Sequence, residues 1–256
     1  MTAAITVGLT GLAGWRVLQR MEARQVEATA KDPVVQRATA YFQENLTAAT
    51  SAEDLVSDYK MLQVALGAFG LEDDASGKAF IRKVLESDLG DSASLANRLG
   101  DKRYLKLAQA FQDRSDAAKA SQAITEAYVQ NQFEQRVGEG DESYRLALNA
   151  RDEVTAFAAR TSSDKTMWYE VLGNESLRTV FEGAFGMTSS VANLSIDRQL
   201  DLFLSASERV LGSSSFSEIA ADATLDKLIT RYLALSQIQG STTSNRYTAA
   251  LTLLSQ

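Results

Sequence analysis

The tetrapeptide Gly67-Ala68-Phe69-Gly70 occurs again, 116 residues later, as Gly183-Ala184-Phe185-Gly186. Each copy closes a run in which apolar residues recur at positions i, i+3, i+4 and i+7, the spacing of a helix with one buried face. The two runs are Leu62, Ala65, Leu66 and Phe69, and Leu177, Val180, Phe181 and Ala184. The final glycine of each copy favours a left-handed helix stop. The pattern therefore predicts a helical unit that occurs twice, with Phe69 and Phe185 as equivalent buried anchors.

The composition of the chain favours an almost entirely helical protein. Its 256 residues are 45% hydrophobic and 23% charged, and they include a single proline, the residue that most strongly interrupts helices. No run of alternating β-branched residues lies between turn signals, so we expect negligible strand content. We predict an all-α multi-helix bundle, built from two related helical units that are joined by a helical hairpin.

Helix signals divide the predicted bundle into four segments that pack as one body. We expect an N-terminal helical segment (1–31), a first helical unit (32–113), a linking helical hairpin (114–161) and a second helical unit (162–256). A last, weak helix is expected from Thr242 to Leu254.

Several helix starts are marked by residues that cap free backbone N–H groups. Asp32 precedes Pro33, which suits the first position of a helix, and Ser51 with Asp54 resembles a capping box. In the linking hairpin, a turn is expected at Gly138-Glu139-Gly140, and Asp141 caps the helix that follows it.

The absence of cysteine and histidine excludes several kinds of catalytic site. A chain without cysteine has no disulfide or thiolate chemistry, and one without histidine has no histidine-based triad and lacks the commonest zinc ligand. The net charge of −7 makes nucleic acid a poor candidate partner, because generic nucleic-acid binding needs a basic surface. No basic residue precedes Arg16, and the apolar start of the chain is too short to cross a bilayer. We therefore expect no Sec signal peptide, no transmembrane helix and no membrane insertion.

The candidates for a metal-binding or phosphate-binding site are a run of acidic residues and one glycine-lysine pair. The run Glu72-Asp73-Asp74 offers ligands to a hard cation, but it fits better as the negatively charged first turn of the next helix. Ser76-Gly77-Lys78 lacks the preceding strand and glycine-rich loop of a phosphate-binding site. Arg145 is expected to form a local ion pair with Glu142 or Asp141. We assign no catalytic, cofactor-binding or metal-binding residue, and a carboxylate-dependent hydrolase is a remote alternative.

The N-terminal segment, residues 1–21, is a candidate docking or export element. Its glycines weaken an isolated helix, whereas Trp15, Leu18 and Met21 form an apolar face with Arg16 beside it. Tryptophan and arginine concentrate at the energetic centres of protein interfaces. Trp15 could equally be a side chain of the protein's own core or an anchor that binds a partner. We take these four residues as the candidate partner-binding set, outside the main core.

Four segments of the chain resemble the bacterial family known as domain of unknown function 1217. They are GLAGWRVLQR (11–20), the stretch from AEDLV to ALGAFGLED (52–73), SLANRLGDKRY (94–104) and RLALNA (145–150). Members of this family are often encoded in flagellar gene clusters. The resemblance implies an all-helical fold and a link to motility, and it implies no reaction, cofactor or catalytic residue.

The expected function is therefore that of a non-enzymatic, flagellum-associated structural, assembly or export-related protein. It would act through contacts with other flagellar proteins, and it would be cytoplasmic or flagellum-associated. A cytoplasmic flagellar regulator or chaperone is the alternative. No oligomeric state follows from the sequence.

Overall fold

The regular structure is helical throughout the part of the chain described by the computed structural model, residues 4–113 and 116–254. Side chains are described in this part except at residue 189 and at residues 239–254. No strand occurs in these residues, which confirms the all-α prediction. The α-helices are α1 (Gly11–Ala30), α2 (Pro33–Asn45), α3 (Ala52–Ser57), α4 (Tyr59–Gly67), α5 (Lys78–Leu85), α6 (Leu95–Arg98), α7 (Arg103–Gln112), α8 (Ala117–Gly140), α9 (Glu142–Ala158), α10 (Asp164–Gly173), α11 (Glu175–Phe185), α12 (Ile196–Leu211), α13 (Phe216–Ile219) and α14 (Asp222–Leu254), and two 3-10 helices span Glu72–Ser76 and Ser189–Asn193.

The chain forms two compact units, each with its own core. The terminal unit contains Met1–Gln19 and Val137–Gln256, and the central unit contains Arg20–Arg136. The boundaries fall within α1 and α8, so these units do not coincide with the segments 1–31, 32–113, 114–161 and 162–256. Whether those segments record two related repeats stays a prediction. Within the described residues, no helix is both long enough and apolar enough to cross a membrane.

The predicted caps at the starts of α2, α3 and α9 are present. The Asp32 carboxylate accepts a hydrogen bond from the backbone N–H of Val34 at 2.8 Å. Ser51 and Asp54 exchange the two bonds of a capping box. Asp141 accepts from the backbone N–H of Ser143 at 2.9 Å. These caps could be predicted from the sequence because each capping side chain accepts a hydrogen bond from a backbone N–H only two or three residues later.

Three local predictions were wrong. The helix α8 continues through Gly138-Glu139-Gly140, so the chain turns at Asp141 instead. Glu72-Asp73-Asp74 is not the first turn of α5 but begins a separate 3-10 helix, and α5 starts after Gly77. The segment from Thr242 to Leu254 is the end of the long α14 and not a separate helix, and its side chains lie outside the described residues.

Both copies of the repeated tetrapeptide finish with a left-handed glycine and the same backbone hydrogen bond. Gly70 and Gly186 have φ angles of 66° and 68°, in the left-handed region that glycine adopts without steric cost. In the central unit the N–H of Leu71 donates to the carbonyl of Leu66 at 3.0 Å. In the terminal unit the N–H of Met187 donates to the carbonyl of Glu182 at 2.9 Å. This six-to-one bond is the signature of a Schellman stop.

The first glycine of each copy lies against a tyrosine ring. A Cβ atom at Gly67 would come within 2.7 Å of the Tyr128 ring from α8, and one at Gly183 within 2.8 Å of the Tyr232 ring from α14. Both distances are shorter than real Cβ contacts allow, so any larger residue would displace the ring. Burial raises the pKa of Tyr232 to about 12, as its enclosed position requires.

The two phenylalanines of the motif are not equally buried. Phe185 is 6% exposed and lies in the last turn of α11. Phe69 follows the end of α4 at Gly67 and is only partly buried at the margin of the central core. The prediction of equivalent anchors was therefore wrong, because α4 stops two residues earlier in its copy of the motif than α11 does.

The core of the terminal unit is organised around Trp168. Its ring centroid lies 4.9 Å from that of Phe216 and 5.2 Å from that of Phe181, and its indole N–H donates to the carbonyl of Ser214 at 2.8 Å. Tilted and edge-on aromatic pairs contribute about 0.5–1.5 kcal/mol each beyond the area that they bury. Helices α10, α11 and α13 are fixed together by this one side chain and its neighbours.

Trp15 and Leu18 belong to the core of the terminal unit, which corrects the docking hypothesis for these two residues. These side chains are 2% and 1% exposed. The Trp15 ring lies 6.2 Å from the Tyr144 ring of α9, centroid to centroid, and the Tyr144 hydroxyl donates to the carbonyl of Gly11 at 2.8 Å. An apolar helix face looks the same in sequence whether its cover comes from the same chain or from a partner.

Replacement of Trp15 by alanine tests this placement. Because the side chain is fully enclosed, Trp15→Ala should lower the free energy of unfolding by about 3–5 kcal/mol. Arg16→Ala, at an exposed neighbouring position, should change it by no more than about 0.5 kcal/mol. Urea unfolding followed by circular dichroism measures both. Equal, small effects of the two substitutions would show that Trp15 is not part of a core.

Candidate functional site

Two of the four predicted partner-binding residues are buried and two are exposed. Trp15 and Leu18 are buried, whereas Arg16 is exposed and Met21 is 38% exposed. Arg16 lies in the terminal unit and Met21 in the central unit. Arg16 and Met21 stay candidate partner-binding residues individually, whereas Trp15 and Leu18, two of the three apolar residues of the predicted face, pack inside the protein.

The acidic run after the first glycine motif bonds to other protein groups. Glu72 accepts a hydrogen bond from the side-chain amide of Gln135, which also donates to Asn131 at 2.8 Å. Asp74 accepts from the hydroxyl of Tyr104 at 2.8 Å. Across residues 4–113 and 116–254, no group of three or more His, Cys, Asp or Glu side chains is arranged to hold a metal ion.

A second bond secures the glycine stop of α4. The guanidinium group of Arg103 donates to the carbonyl oxygen of Gly70 and binds the carboxylate of Asp101 at 2.7 Å. The motif and the acidic run thus tie the end of α4 to α7 and α8. We interpret this cluster as a structural joint within the central unit.

The predicted ion pair of Arg145 is also a local structural contact. Its guanidinium group binds the carboxylate of Glu142 one turn earlier in α9. Gly138 lies directly against this pair, since a Cβ atom there would come within 2.7 Å of the Arg145 side chain.

A groove in the central unit is the best candidate for a binding site. It has a volume of about 1030 Å³ and is bordered by α1, α2 and α8. Helix α1 contributes Val26, Glu27 and Ala30, α2 contributes Thr39 and Gln43, and α8 contributes most of the positions from Ala118 to Gln130. We call this surface the α8 groove. Its α8 side extends over about 18 Å, given a rise of about 1.5 Å per residue.

Small and polar side chains line the α8 groove. Along α8 they include Ala118, Ser121, Gln122, Ala123, Thr125, Glu126 and Ala127. Short side chains leave the helix backbone accessible to a close neighbour, and the longer amide and carboxylate groups supply hydrogen-bonding positions. The charged side chains among the lining residues are both acidic, Glu27 and Glu126.

Two buried hydroxyl groups lie on the α8 side of the groove. Thr125 is 3% exposed, donates to the carbonyl of Ser121 at 2.9 Å and accepts from the amide of Gln43 at 3.0 Å. Ser121 is 2% exposed, and its Oγ atom has no hydrogen-bond partner. A buried polar group without a partner costs about 1–3 kcal/mol, so a ligand that reached this hydroxyl would gain a bond.

The Ser121 hydroxyl lacks the partner that a serine nucleophile needs. A serine nucleophile needs a hydrogen-bonded base, and the Ser121 Oγ atom has none. Glu27 is bound to Lys31 at 2.6 Å, and the hydrogen bond from that ammonium group holds the pKa of Glu27 below its ordinary value. Glu126 accepts from the amide of Gln122 at 2.8 Å.

Sequence reasoning missed this groove entirely. Its residues come from three helices, and none of them forms a recognised motif. The one available signal was the spacing of Ala118, Ser121 and Thr125, three short side chains at helical intervals on α8. The same spacing is common in ordinary helix packing, so it would not have identified a site.

The Glu72 carboxyl makes a testable contribution to stability. Burial raises its pKa above the ordinary value of 4.5, against the opposing effect of its hydrogen bonds. A carboxyl with a higher pKa in the folded chain binds a proton on folding, so the free energy of unfolding falls as the pH rises from about 4.5 through the folded pKa. Glu72→Gln removes this dependence.

The stability of Glu72→Gln relative to the unmodified chain should therefore increase over this pH range and level off above it. Urea unfolding at a series of pH values measures the difference, with Glu44→Gln as the control at an exposed position of α2. The control should show no comparable trend. A relative stability that decreases with rising pH would mean that the ionised carboxylate is the favoured form.

Comparison with known proteins adds a family and a fold. A family model described as "Protein of unknown function (DUF1217)" matches residues 68–210, more than half of the chain. A crystal structure of a protein from Agrobacterium tumefaciens is similar over 93% of this chain and 97% of that one, with a TM-score of 0.74 and 26% sequence identity. None of the curated proteins matches. The matched range contains the end of the first glycine motif and the whole of the second, and it shows that the chain belongs to the DUF1217 family.

Proposed function

We propose that this protein is a non-enzymatic, flagellum-associated factor that acts in flagellar structure, assembly or export through contacts with other proteins. The observation that supports contact as its mode of action is the α8 groove, with its helical borders, short side chains and unpartnered buried hydroxyl. Docking of an amphipathic helix into a surface groove is a recurring mode of recognition between proteins.

The flagellar part of the proposal is supported by the family. The resemblance to DUF1217 implies a link to flagellar genes, and this chain carries the residues on which that resemblance rests, including 11–20 and 145–150. An all-α fold is compatible with structural, chaperone and enzymatic roles alike, so it does not choose among them. The choice depends on where the protein is found and on what its loss does.

Deletion of the gene in the parent bacterium, combined with cell fractionation, tests the proposal. We expect the deletion strain to swim less far in soft agar and the unmodified gene, supplied in trans, to restore swimming. We expect the protein in the hook-basal-body fraction or in the culture medium of motile cells.

Two other outcomes have distinct meanings. Loss of swimming with the protein confined to the cytoplasm would contradict the structural and export roles and favour a flagellar regulator or chaperone. Unchanged swimming with the protein absent from flagellar fractions would overturn the flagellar assignment altogether.

A further inference from the structure

The α8 groove also indicates the chemistry of its partner. We propose that the groove binds an amphipathic α-helix of another protein, with small residues on its buried face and Lys or Arg residues along its flanks. This inference rests on the proposed function, because it names the kind of partner that a contact-mediated role requires.

The dimensions of the groove favour a helix as its occupant. The contributing part of α8, from Ala118 to Gln130, is about 18 Å long, and this matches three to four turns of a docked helix. A volume of about 1030 Å³ is at the upper limit of ordinary small-molecule pockets. Ala118, Ser121 and Ala123 have short side chains, and small residues allow two helix backbones to approach closely.

The charges of the groove favour a basic partner. The charged lining residues, Glu27 and Glu126, lie on α1 and α8. Glu27 already binds Lys31, but Glu126 receives its bond from the neutral amide of Gln122. A cation on the flank of the docked helix would therefore complement Glu126, and the net charge of −7 would speed its approach.

The Ser121 hydroxyl is a polar group of the groove lining that the protein leaves unbonded. It is 2% exposed and lies on the groove lining without a hydrogen-bond partner. Its neighbour Thr125, one turn further along α8, is fully bonded by protein groups. A Ser or Thr side chain, or a backbone carbonyl, on the buried face of a docked helix would supply the missing bond.

Site-specific photocrosslinking in motile cells of the parent bacterium tests this inference. The photoreactive residue p-benzoylphenylalanine replaces Gln122, an exposed residue of the groove, or Gln36, an exposed residue of α2 outside it. We expect a crosslink to another protein from position 122, at a yield at least about fivefold higher than from position 36. Mass spectrometry should place the crosslink in a segment with small residues at helical spacing and flanking Lys or Arg.

Paired substitutions show whether the groove itself is responsible. The groove variant combines Glu126→Lys with Ala118→Trp, and the matched control combines Glu44→Lys with Ala40→Trp at exposed positions of α2 outside the groove. Circular dichroism melts establish that both variants fold. We expect the groove variant to reduce the crosslink at least about fivefold and the control to leave it unchanged.

Several outcomes would overturn the inference. They are no crosslink above the level of position 36, a crosslink to a second copy of this chain, a crosslink to an acidic or non-helical segment, and equal yields from the two paired variants. The flagellar assignment is judged separately by swimming and fractionation. A flagellar protein without the crosslink would refute only the groove inference, and a crosslinked protein absent from flagellar fractions would refute only the flagellar assignment.

Discussion

The close approach of a tyrosine ring to a glycine near the end of a helix is the constraint on which the rest of the structure depends. At Gly67 and at Gly183 the missing side chain leaves room for the rings of Tyr128 and Tyr232. Either ring would collide with the Cβ atom of an alanine. The same arrangement thus fixes one helix contact within each of the two units.

The second glycine of each motif extends this constraint along the chain. Gly70 and Gly186 turn the backbone into the left-handed region three residues after the glycine that contacts the tyrosine. In the central unit, the acidic residues that follow then reach α7 and α8, through Tyr104 and Gln135. The repeated motif therefore marks the end of a helix and, at its first glycine, the place where a tyrosine ring packs. The tyrosines follow their glycines by 61 and 49 residues, so the shared geometry does not by itself establish an internal duplication.

The sequence predicted the features that are decided locally. The caps at Asp32 and Ser51 and the helix stops at the two motifs depend on residues within a few positions, and the pattern contained all of them. The surroundings of Trp15 could not be predicted in this way. The spacing of apolar residues shows which side of the helix is buried, but it does not show which residues cover that side. Tyr144, which covers it in part, lies far along the chain.

The α8 groove could not be predicted from the sequence either, because residues from three separate helices form it. Ser121 is an ordinary helix residue in sequence, and its role in the groove lining, with a buried and unbonded hydroxyl, is defined only in the folded chain. The family resemblance gave the fold, but a binding surface is defined by the packing of distant helices. The proposed role through protein contacts thus depends on features that only the folded chain displays.

A double-mutant cycle at Gly67 and Tyr128 tests the central constraint most directly. Gly67→Ala should destabilise the protein while the Tyr128 ring is present, because the added methyl group displaces the ring. In a Tyr128→Ala background the same change should be neutral or stabilising, since alanine favours a helix more than glycine does. The account predicts a coupling free energy of about 1–3 kcal/mol from urea unfolding. Equal effects of Gly67→Ala in the two backgrounds would contradict it.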